Sequence, residues 1–232
     1  MTKVIILDIE GTTTPISFVH DTLFTYSMAR IGGFVMDNFE ELKFEIEQLV
    51  EENSNDPMYE ADLMPDSANS VSDYLKFLIE QDRKSTPLKS IQGMIWKTGY
   101  DSGEIVSPVF DDVPPAFKRW KDAGKRIGIY SSGSVLAQKL LFRHTEHGDL
   151  TPLIARYFDT TIGGKREVSS YAAIAEQLGV EPHEVLFVSD VPAELDAARS
   201  AGMNTALSIR PGNAPISNYA GHRMIRTFAE LE

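Results

Sequence analysis

Acidic side chains follow two apolar runs of this sequence, at the point where each run ends. Val4–Leu7 leads into Asp8 and Glu10, and residues 185–188 lead into Asp190. Each run is typical of a buried parallel strand, and open α/β sheets bind their ligands at the carboxyl ends of such strands. A carboxylate at that edge is costly to desolvate unless it meets a cation. Asp8 and Asp190 therefore predict a site for a divalent metal ion.

Ser131 and Lys165 complete a set of side chains that predicts phosphoryl transfer to an aspartate. A carboxylate attacks phosphorus only if the negative charge of the phosphate is neutralised. Magnesium held by Asp8 and Asp190 would neutralise it as a Lewis acid, and the Lys165 ammonium would add a point charge. Ser131 ends another strand-like run and precedes a helix-like one. Its hydroxyl and nearby N–H groups are therefore suited to donate to a phosphate.

The elements that must position these residues alternate between strands and helices. Apolar runs predict strands at residues 4–7, 126–130, 160–162, 185–188 and 204–209. Helical patterns predict helices between the later strands, at residues 114–123, 135–142, 169–178 and 193–201. Strict alternation with short turns predicts an α/β fold with a parallel sheet and right-handed crossovers.

A long helical insertion interrupts this alternation after the first strand. Its apolar residues recur at three- and four-residue steps, as from Leu42 to Ile46, and strand signals are few. We therefore expect a catalytic core formed by residues 1–16 and 108–232, and an inserted helical cap domain formed by residues 17–107.

The composition excludes several classes of function. The net charge is −12, and the segment 37–82 alone carries 14 acidic and two basic residues. The remaining chain is balanced, so neither nucleic acid nor an anionic membrane is an expected partner. There is no cysteine and no apolar stretch long enough to span a membrane. Strand-like sequence begins at Val4 and leaves no room for a signal peptide, so we expect a cytoplasmic protein, and a monomer because no pattern demands assembly.

The motifs resemble, in order, those of the haloacid dehalogenase superfamily of phosphatases. That superfamily opens with Asp-x-Asp-Gly-Thr, and this sequence reads Asp8-Ile9-Glu10-Gly11-Thr12. A Ser or Thr at a strand end matches Ser131, a Lys matches Lys165, and an acidic cluster matches Asp190 with Glu194. The resemblance implies a Rossmann-like core with an inserted cap and an aspartyl-phosphate on the first Asp. It also implies one Mg²⁺ per subunit, bound by Asp8, Asp190 and the main-chain carbonyl of Glu10, with Glu194 behind them.

Glu10 stands where most such phosphatases have Asp. In this respect, and in residues 88–93, 95–96, 99–100, 130–134 and 210–213, the sequence is similar to the enolase-phosphatases (acireductone synthases) of methionine salvage. The resemblance implies enolisation of 2,3-diketo-5-methylthiopentyl-1-phosphate and then release of its phosphate, giving the acireductone 1,2-dihydroxy-5-methylthiopent-1-en-3-one. We hypothesise that Glu10, which is one methylene longer than Asp, is the base that removes the C1 proton.

Several site residues also have simpler interpretations that the sequence leaves open. The predicted substrate-binding residues are Thr12, Ser131, Ser132, Gly133 and Lys165 in the core, with Lys89 and Gln92 in the cap. The two serines are also typical helix N-cap residues, and Lys165 could be a solvated loop lysine. Glu194 falls in the first turn of a helix, where an acid is favoured without any metal. Lys89 and Gln92 could belong to the solvated surface.

Three other functions compete with the enolase-phosphatase hypothesis. A phosphatase or mutase of the same superfamily would use Glu10 as a plain acid and base and would not enolise. A haloacid dehalogenase would need no metal, whereas the pairing of Asp190 with Glu194 favours one. A phospho-aspartate receiver module would carry its Asp after the third strand, whereas Asp8 ends the first, and it would not need a cap of ninety residues.

Overall fold

A parallel sheet runs through the part of the chain that the computed structural model describes, residues 1–216 and 219–231. Its six strands are β1 (Val4–Leu7), β2 (Arg126–Tyr130), β3 (Arg156–Phe158), β4 (Val185–Ser189), β5 (Asn204–Ser208) and β6 (Arg223–Ile225). Their order is β3-β2-β1-β4-β5-β6, and every pair is parallel. β1 lies in the middle of the sheet, between β2 and β4. The strand order changes direction next to β1, and open α/β sheets bind their ligands at such a point.

Helices that follow the strands bury the sheet. They are α5 (Val113–Asp122), α6 (Val135–Arg143), α7 (Val168–Leu178) and α8 (Pro192–Ser200). All four residues of β1 are buried, which explains its uninterrupted apolar sequence. Three aromatic rings contribute to this core, because the ring centroid of Tyr171 lies 5.7 Å from that of Tyr130 and 5.1 Å from that of Phe187.

A second compact unit, residues 20–105, is helical and separate from the unit formed by residues 1–19 and the chain from Val106 onward. It contains α1 (Thr25–Asp37), α2 (Lys43–Ser54), α3 (Ala68–Glu80) and α4 (Thr86–Asp101), and a π-helical segment, Phe18–Phe24, leads into it. The unit has its own apolar core, whose members include Ile31, Leu42, Leu49, Val71, Leu75 and Ile91. Within the described residues, no helix has the length and apolar character needed to cross a bilayer.

The predicted α/β class with a parallel sheet and an inserted helical region is confirmed, but the third strand is not where the pattern puts it, and a sixth strand is present that the pattern does not predict. Residues 160–162 form a turn, because Asp159 Oδ1 accepts from Thr161 N at 3.0 Å and the Asp159 carbonyl accepts from Ile162 N at 3.2 Å. The strand is the preceding Arg156–Phe158. No strand signal predicts β6, a three-residue strand at the edge of the sheet.

Candidate active site

Three predicted site residues lie at the carboxyl ends of three adjacent strands. Asp8 follows β1, Ser131 follows β2 and Asp190 follows β4, and β1 pairs with both of its neighbours in register. Because parallel strands end at one edge of the sheet, residues far apart in sequence meet there. Asp8 and Ser131 are 5% and 4% exposed.

Lys165 lies between two carboxylates at this edge. Its Nζ is 2.7 Å from Asp8 Oδ1 and 2.8 Å from Glu194 Oε2, and all three side chains are almost fully buried. Burial lowers the pKa of Lys165, but the negative charges of Asp8 and Glu194 outweigh it, so the pKa is raised and the ammonium stays charged. The interpretation of Lys165 as a solvated loop lysine is therefore wrong.

Ser189, the last residue of β4, joins the same network and was not among the predicted site residues. Its Oγ is 3.2 Å from Asp8 Oδ2 and 2.9 Å from Glu194 Oε2, and it accepts from Val191 N at 3.1 Å. A hydroxyl has one proton, so Ser189 donates to one carboxylate at a time. The Glu194 carboxylate thus contacts both Lys165 and Ser189. The only signal in the sequence was the position of a serine directly before Asp190.

Asp190 completes the acidic group. Burial, followed by the negative charges of Asp8 and Glu194, raises the pKa of Asp190 to about 7. Its carboxylate packs against Gly11, where a Cβ would lie 2.4 Å from Asp190 Oδ2, and Gly11 has a φ of +65°. Both facts require glycine at this position. The Gly11 of the predicted motif is thus explained by the close approach of Asp190.

The buried charges provide a test of whether a divalent cation fits. Asp8, Asp190 and Glu194 contribute three carboxylates against the single ammonium of Lys165. Asn213 Oδ1 is a buried acceptor without a donor among the described residues. Those residues contain no cluster of three acidic or histidine side chains that would enclose a metal unaided. Magnesium does not need such a cluster, because it keeps several waters and binds one or two carboxylates together with phosphate oxygens. The donor set fits magnesium.

The loop that carries Asp8 is held by its own hydrogen bonds. The Ile9 carbonyl accepts from the N–H groups of Thr12, Thr13 and Thr14, at 3.2, 2.9 and 3.0 Å. Thr12 is fully buried, and within the described part of the chain its hydroxyl has no partner. Glu10 is half-buried, two positions after Asp8. The predicted roles of Thr12 and Glu10 toward a ligand stay predictions.

Three hydroxyl groups fix the backbone that leads to Lys165. Tyr130 donates to the Gly163 carbonyl at 2.9 Å, Ser170 to the Gly164 carbonyl at 2.8 Å, and Tyr171 to the Lys165 carbonyl at 2.6 Å. Burial is the main cause that raises the pKa of both tyrosines, so both remain neutral donors. Lys165 is thus positioned by side chains of β2 and α7, although it lies on a loop.

The predicted phosphate-binding segment lies between β2 and α6. Ser131 Oγ accepts from Gly133 N at 3.2 Å, while Ser132 is exposed. The N-cap of α6 is Ser134, which accepts from the Ala137 N–H, so the N-cap interpretation of Ser131 and Ser132 is wrong. The side chain of Gln138, buried in α6, donates to the Gly133 carbonyl at 2.8 Å and secures this segment.

The two predicted cap residues lie on α4 of the helical unit. Gln92 is 5% exposed, and its Nε2 donates to Ser27 Oγ at 3.3 Å, so it is not part of the solvated surface. Lys89 is half-buried. The predicted contact of Lys89 and Gln92 with a substrate stays a prediction.

Comparison with known proteins identifies the family. The profile of the haloacid dehalogenase-like hydrolases matches residues 2–202. Enolase-phosphatase E1 of Drosophila mojavensis is 50% identical over 221 residues, covering 93% of this chain and 88% of that protein. Enolase-phosphatase E1 of Synechococcus elongatus is 51% identical over 230 residues, covering 98% and 96%. The chain belongs to the enolase-phosphatase family of haloacid dehalogenase-like hydrolases.

A solved structure resembles this member of the enolase-phosphatase family over its whole length. The UTR4 protein (Unknown transcript 4 protein) of Saccharomyces cerevisiae is 36% identical, with a TM-score of 0.74 and complete coverage of both chains. The resemblance inferred from the four motifs and from Glu10 is thus confirmed. Family membership leaves the dehalogenase and receiver alternatives without support, because the Drosophila and Synechococcus relatives are enolase-phosphatases that match nearly the full chain.

Proposed function

We propose that this chain is a magnesium-dependent enolase-phosphatase of methionine salvage. It enolises 2,3-diketo-5-methylthiopentyl-1-phosphate and then removes the phosphate, leaving the acireductone. The observation that carries the proposal is the buried contact of Lys165 with Asp8 and Glu194 at the sheet edge that Asp190 shares. A phosphoryl-transfer site needs a nucleophile and positive charge at the same place, and this edge supplies both.

The phosphatase half of the reaction uses Asp8 as the nucleophile. A carboxylate oxygen of Asp8 bonds to phosphorus as the bond from phosphorus to the enol oxygen breaks, and that oxygen takes a proton. Water then attacks the aspartyl-phosphate, which releases inorganic phosphate and restores the carboxylate. Lys165 offsets the negative charge that develops during both steps, and Ser131 donates to the phosphoryl oxygens.

Magnesium would be held by Asp8, Asp190 and the main-chain carbonyl of Glu10. Glu194 would support these ligands without binding the metal directly. When bound, it supplies positive charge to the phosphate and to the substrate carbonyl. Three carboxylates against one ammonium support this assignment, because the excess negative charge needs a cation.

Removal of the metal gives a direct test of that assignment. Excess EDTA is expected to abolish phosphate release, and added Mg²⁺ is expected to restore it. The melting temperature of the substrate-free protein should also rise with Mg²⁺, because a ligand that binds only the folded state stabilises it. In Asp190→Asn this rise should shrink. Full activity in EDTA would contradict the assignment.

The enolase half of the reaction needs a base near C1, and we assign that role to Glu10. Glu10 follows Asp8 by two positions and reaches one methylene further than the usual Asp. After enolisation its protonated carboxyl group can deliver the proton to the leaving oxygen on C1, while the enolate oxygen on C2 takes a proton from solvent. One side chain would then serve both halves of the reaction.

Glu10→Gln is expected to lower the rate of enolisation by about 10²- to 10⁴-fold, the range typical for loss of a general base. A single-turnover assay should follow enol absorbance and phosphate release as separate signals. Glu10→Asp is the matched control, since it keeps the acid but shortens its reach. A Glu10→Gln protein that still enolises at a near-normal rate would refute the assignment to Glu10.

A phosphatase of the same family without enolase activity is the second candidate. Glu10 in place of Asp favours the enolase-phosphatase. Comparing the diketo-phosphate with a simple phosphomonoester separates the two, since only the first substrate can give an enol signal.

The proposed enolase-phosphatase has a catalytic core formed by residues 1–16 and 108–232 and a cap formed by residues 17–107, with Lys89 and Gln92 as substrate-binding residues. A monomeric state and a cytoplasmic location belong to the same proposal. So does the absence of nucleic-acid and membrane partners.

A further inference from the structure

Arg210 is a buried cation that the proposed chemistry does not use. It follows β5 and is 7% exposed, and its Nε donates to the main-chain carbonyl of Thr12 at 3.1 Å. Thr12 belongs to the loop formed by residues 8–14, here named the catalytic loop. Arg210 therefore contacts the backbone of that loop across 198 positions of sequence.

The guanidinium of Arg210 is fixed on several sides. Its Nη1 donates to Asp112 Oδ2 and to the Arg226 carbonyl, each at 2.9 Å. The rings of Phe110 and Phe228 lie 4.7 and 4.6 Å from its central carbon. A planar group that donates from two nitrogens while contacting two rings is specific to arginine.

Asp112 extends these contacts to residues 226–228, here named the C-terminal segment. Its Oδ2 also accepts from Thr227 Oγ1 at 3.0 Å and from Phe228 N at 2.5 Å. The catalytic loop, the start of α5 and the C-terminal segment are thus connected by hydrogen bonds through Arg210 and Asp112.

Donors from outside the catalytic loop engage three of its successive carbonyls. The Gly11 carbonyl accepts from Asn213 Nδ2 at 3.0 Å and from Ser208 Oγ at 3.2 Å. The Thr12 carbonyl accepts from Arg210, and the Thr13 carbonyl from Phe110 N at 3.0 Å. Of these donors, Arg210 alone carries a charge, and hydrogen bonds from charged donors are the stronger ones.

We infer that Arg210 is a positioning residue that holds the catalytic loop in the orientation needed for metal binding and attack by Asp8. The inference rests on the proposed function, because it assigns Asp8 and the Glu10 carbonyl of that loop to the metal. Outer contacts of this kind orient the groups that bind a metal. Loss of Arg210 should therefore weaken Mg²⁺ binding and slow catalysis in a protein that remains folded.

The test compares Arg210→Met with Arg119→Met. Arg119 also binds the C-terminal segment, through the Phe228 carbonyl at 2.8 Å, but it has no hydrogen bond to the catalytic loop in the described structure. Arg210→Met is expected to raise the half-saturating Mg²⁺ concentration and lower kcat, each on the order of tenfold. Arg119→Met should leave both values unchanged. Mg²⁺ binding is followed without substrate, from the dependence of melting temperature on Mg²⁺.

Arg210→Lys keeps the test decisive if Arg210→Met does not fold. It retains the charge and the apolar stem but cannot make the same set of hydrogen bonds, so we expect the same direction of change by a few-fold. A lower melting temperature with wild-type kcat and wild-type Mg²⁺ dependence in either folded variant would overturn the inference. Absence of Mg²⁺-dependent phosphate release from the wild-type enzyme would instead overturn the proposed function.

Discussion

Asp8→Asn is expected to lower phosphate release by at least about 10⁴-fold, as in other enzymes that lose a nucleophile. An amide oxygen does not form the phosphoryl bond that a carboxylate forms. The fold should survive, because asparagine has nearly the same shape, its side-chain oxygen still accepts from Lys165, and its NH2 group can donate to the Ser189 hydroxyl oxygen. In a single-turnover assay at saturating Mg²⁺, the enol signal should appear without release of phosphate, since Glu10 rather than Asp8 is the proposed base.

Asp122→Asn is the matched control for this change. Asp122 is exposed at the end of α5, far in sequence from the catalytic loop, and its replacement removes the same charge. It should release phosphate at the wild-type rate. Phosphate release by Asp8→Asn within tenfold of wild type would exclude Asp8 as the nucleophile.

Lys165→Met is expected to have the second large effect, on stability and rate together. It leaves Asp8 and Glu194 buried without their cation, and removal of one partner of a buried ion pair costs about 3–5 kcal/mol. Protonation of Glu194 moderates this loss, because burial raises the pKa of its carboxyl group. The rate of phosphate release should fall by about 10²- to 10³-fold, as when one preorganised charge-stabilising donor is lost.

Chemical denaturation and single-turnover kinetics measure the two effects separately. Lys165→Arg should recover most of the stability, because it keeps the charge, but less of the rate, because a planar guanidinium replaces a compact ammonium. Lys118→Met, at an exposed position of α5, is the control for loss of a surface lysine. Unchanged stability and rate in Lys165→Met would contradict the role assigned to Lys165.

The sequence predicted those parts of the site that depend on strand ends. Asp8, Ser131 and Asp190 each follow an apolar strand, and the ends of parallel strands necessarily share one edge. Lys165 is different, since it lies on a loop and only the order of the family motifs distinguished it from a solvated loop lysine. Its placement depends on hydroxyl donors from β2 and α7, which no local pattern reveals.

The residues that sequence reasoning missed act through contacts over long separations. Arg210 belongs to a stretch that resembles the family, but its bond to the Thr12 carbonyl joins two loops that only the folded sheet brings together. Ser189 was hidden because a serine before an acid is commonplace. The third strand was misplaced for a local reason. The β-branched residues at 160–162 favour a strand, but hydrogen bonds to Asp159 hold them in a turn.

The position of β1 has a consequence for the synthesis of the protein. β1 is completed at Leu7, but its neighbours in the sheet are β2, which begins at Arg126, and β4, which begins at Val185. As the ribosome makes the chain, this apolar strand emerges early and has no partner for most of translation. The helical unit, whose core residues all precede Ile105, can collapse first. Nascent chains are thus vulnerable to aggregation through their first strand until the fourth strand has left the exit tunnel.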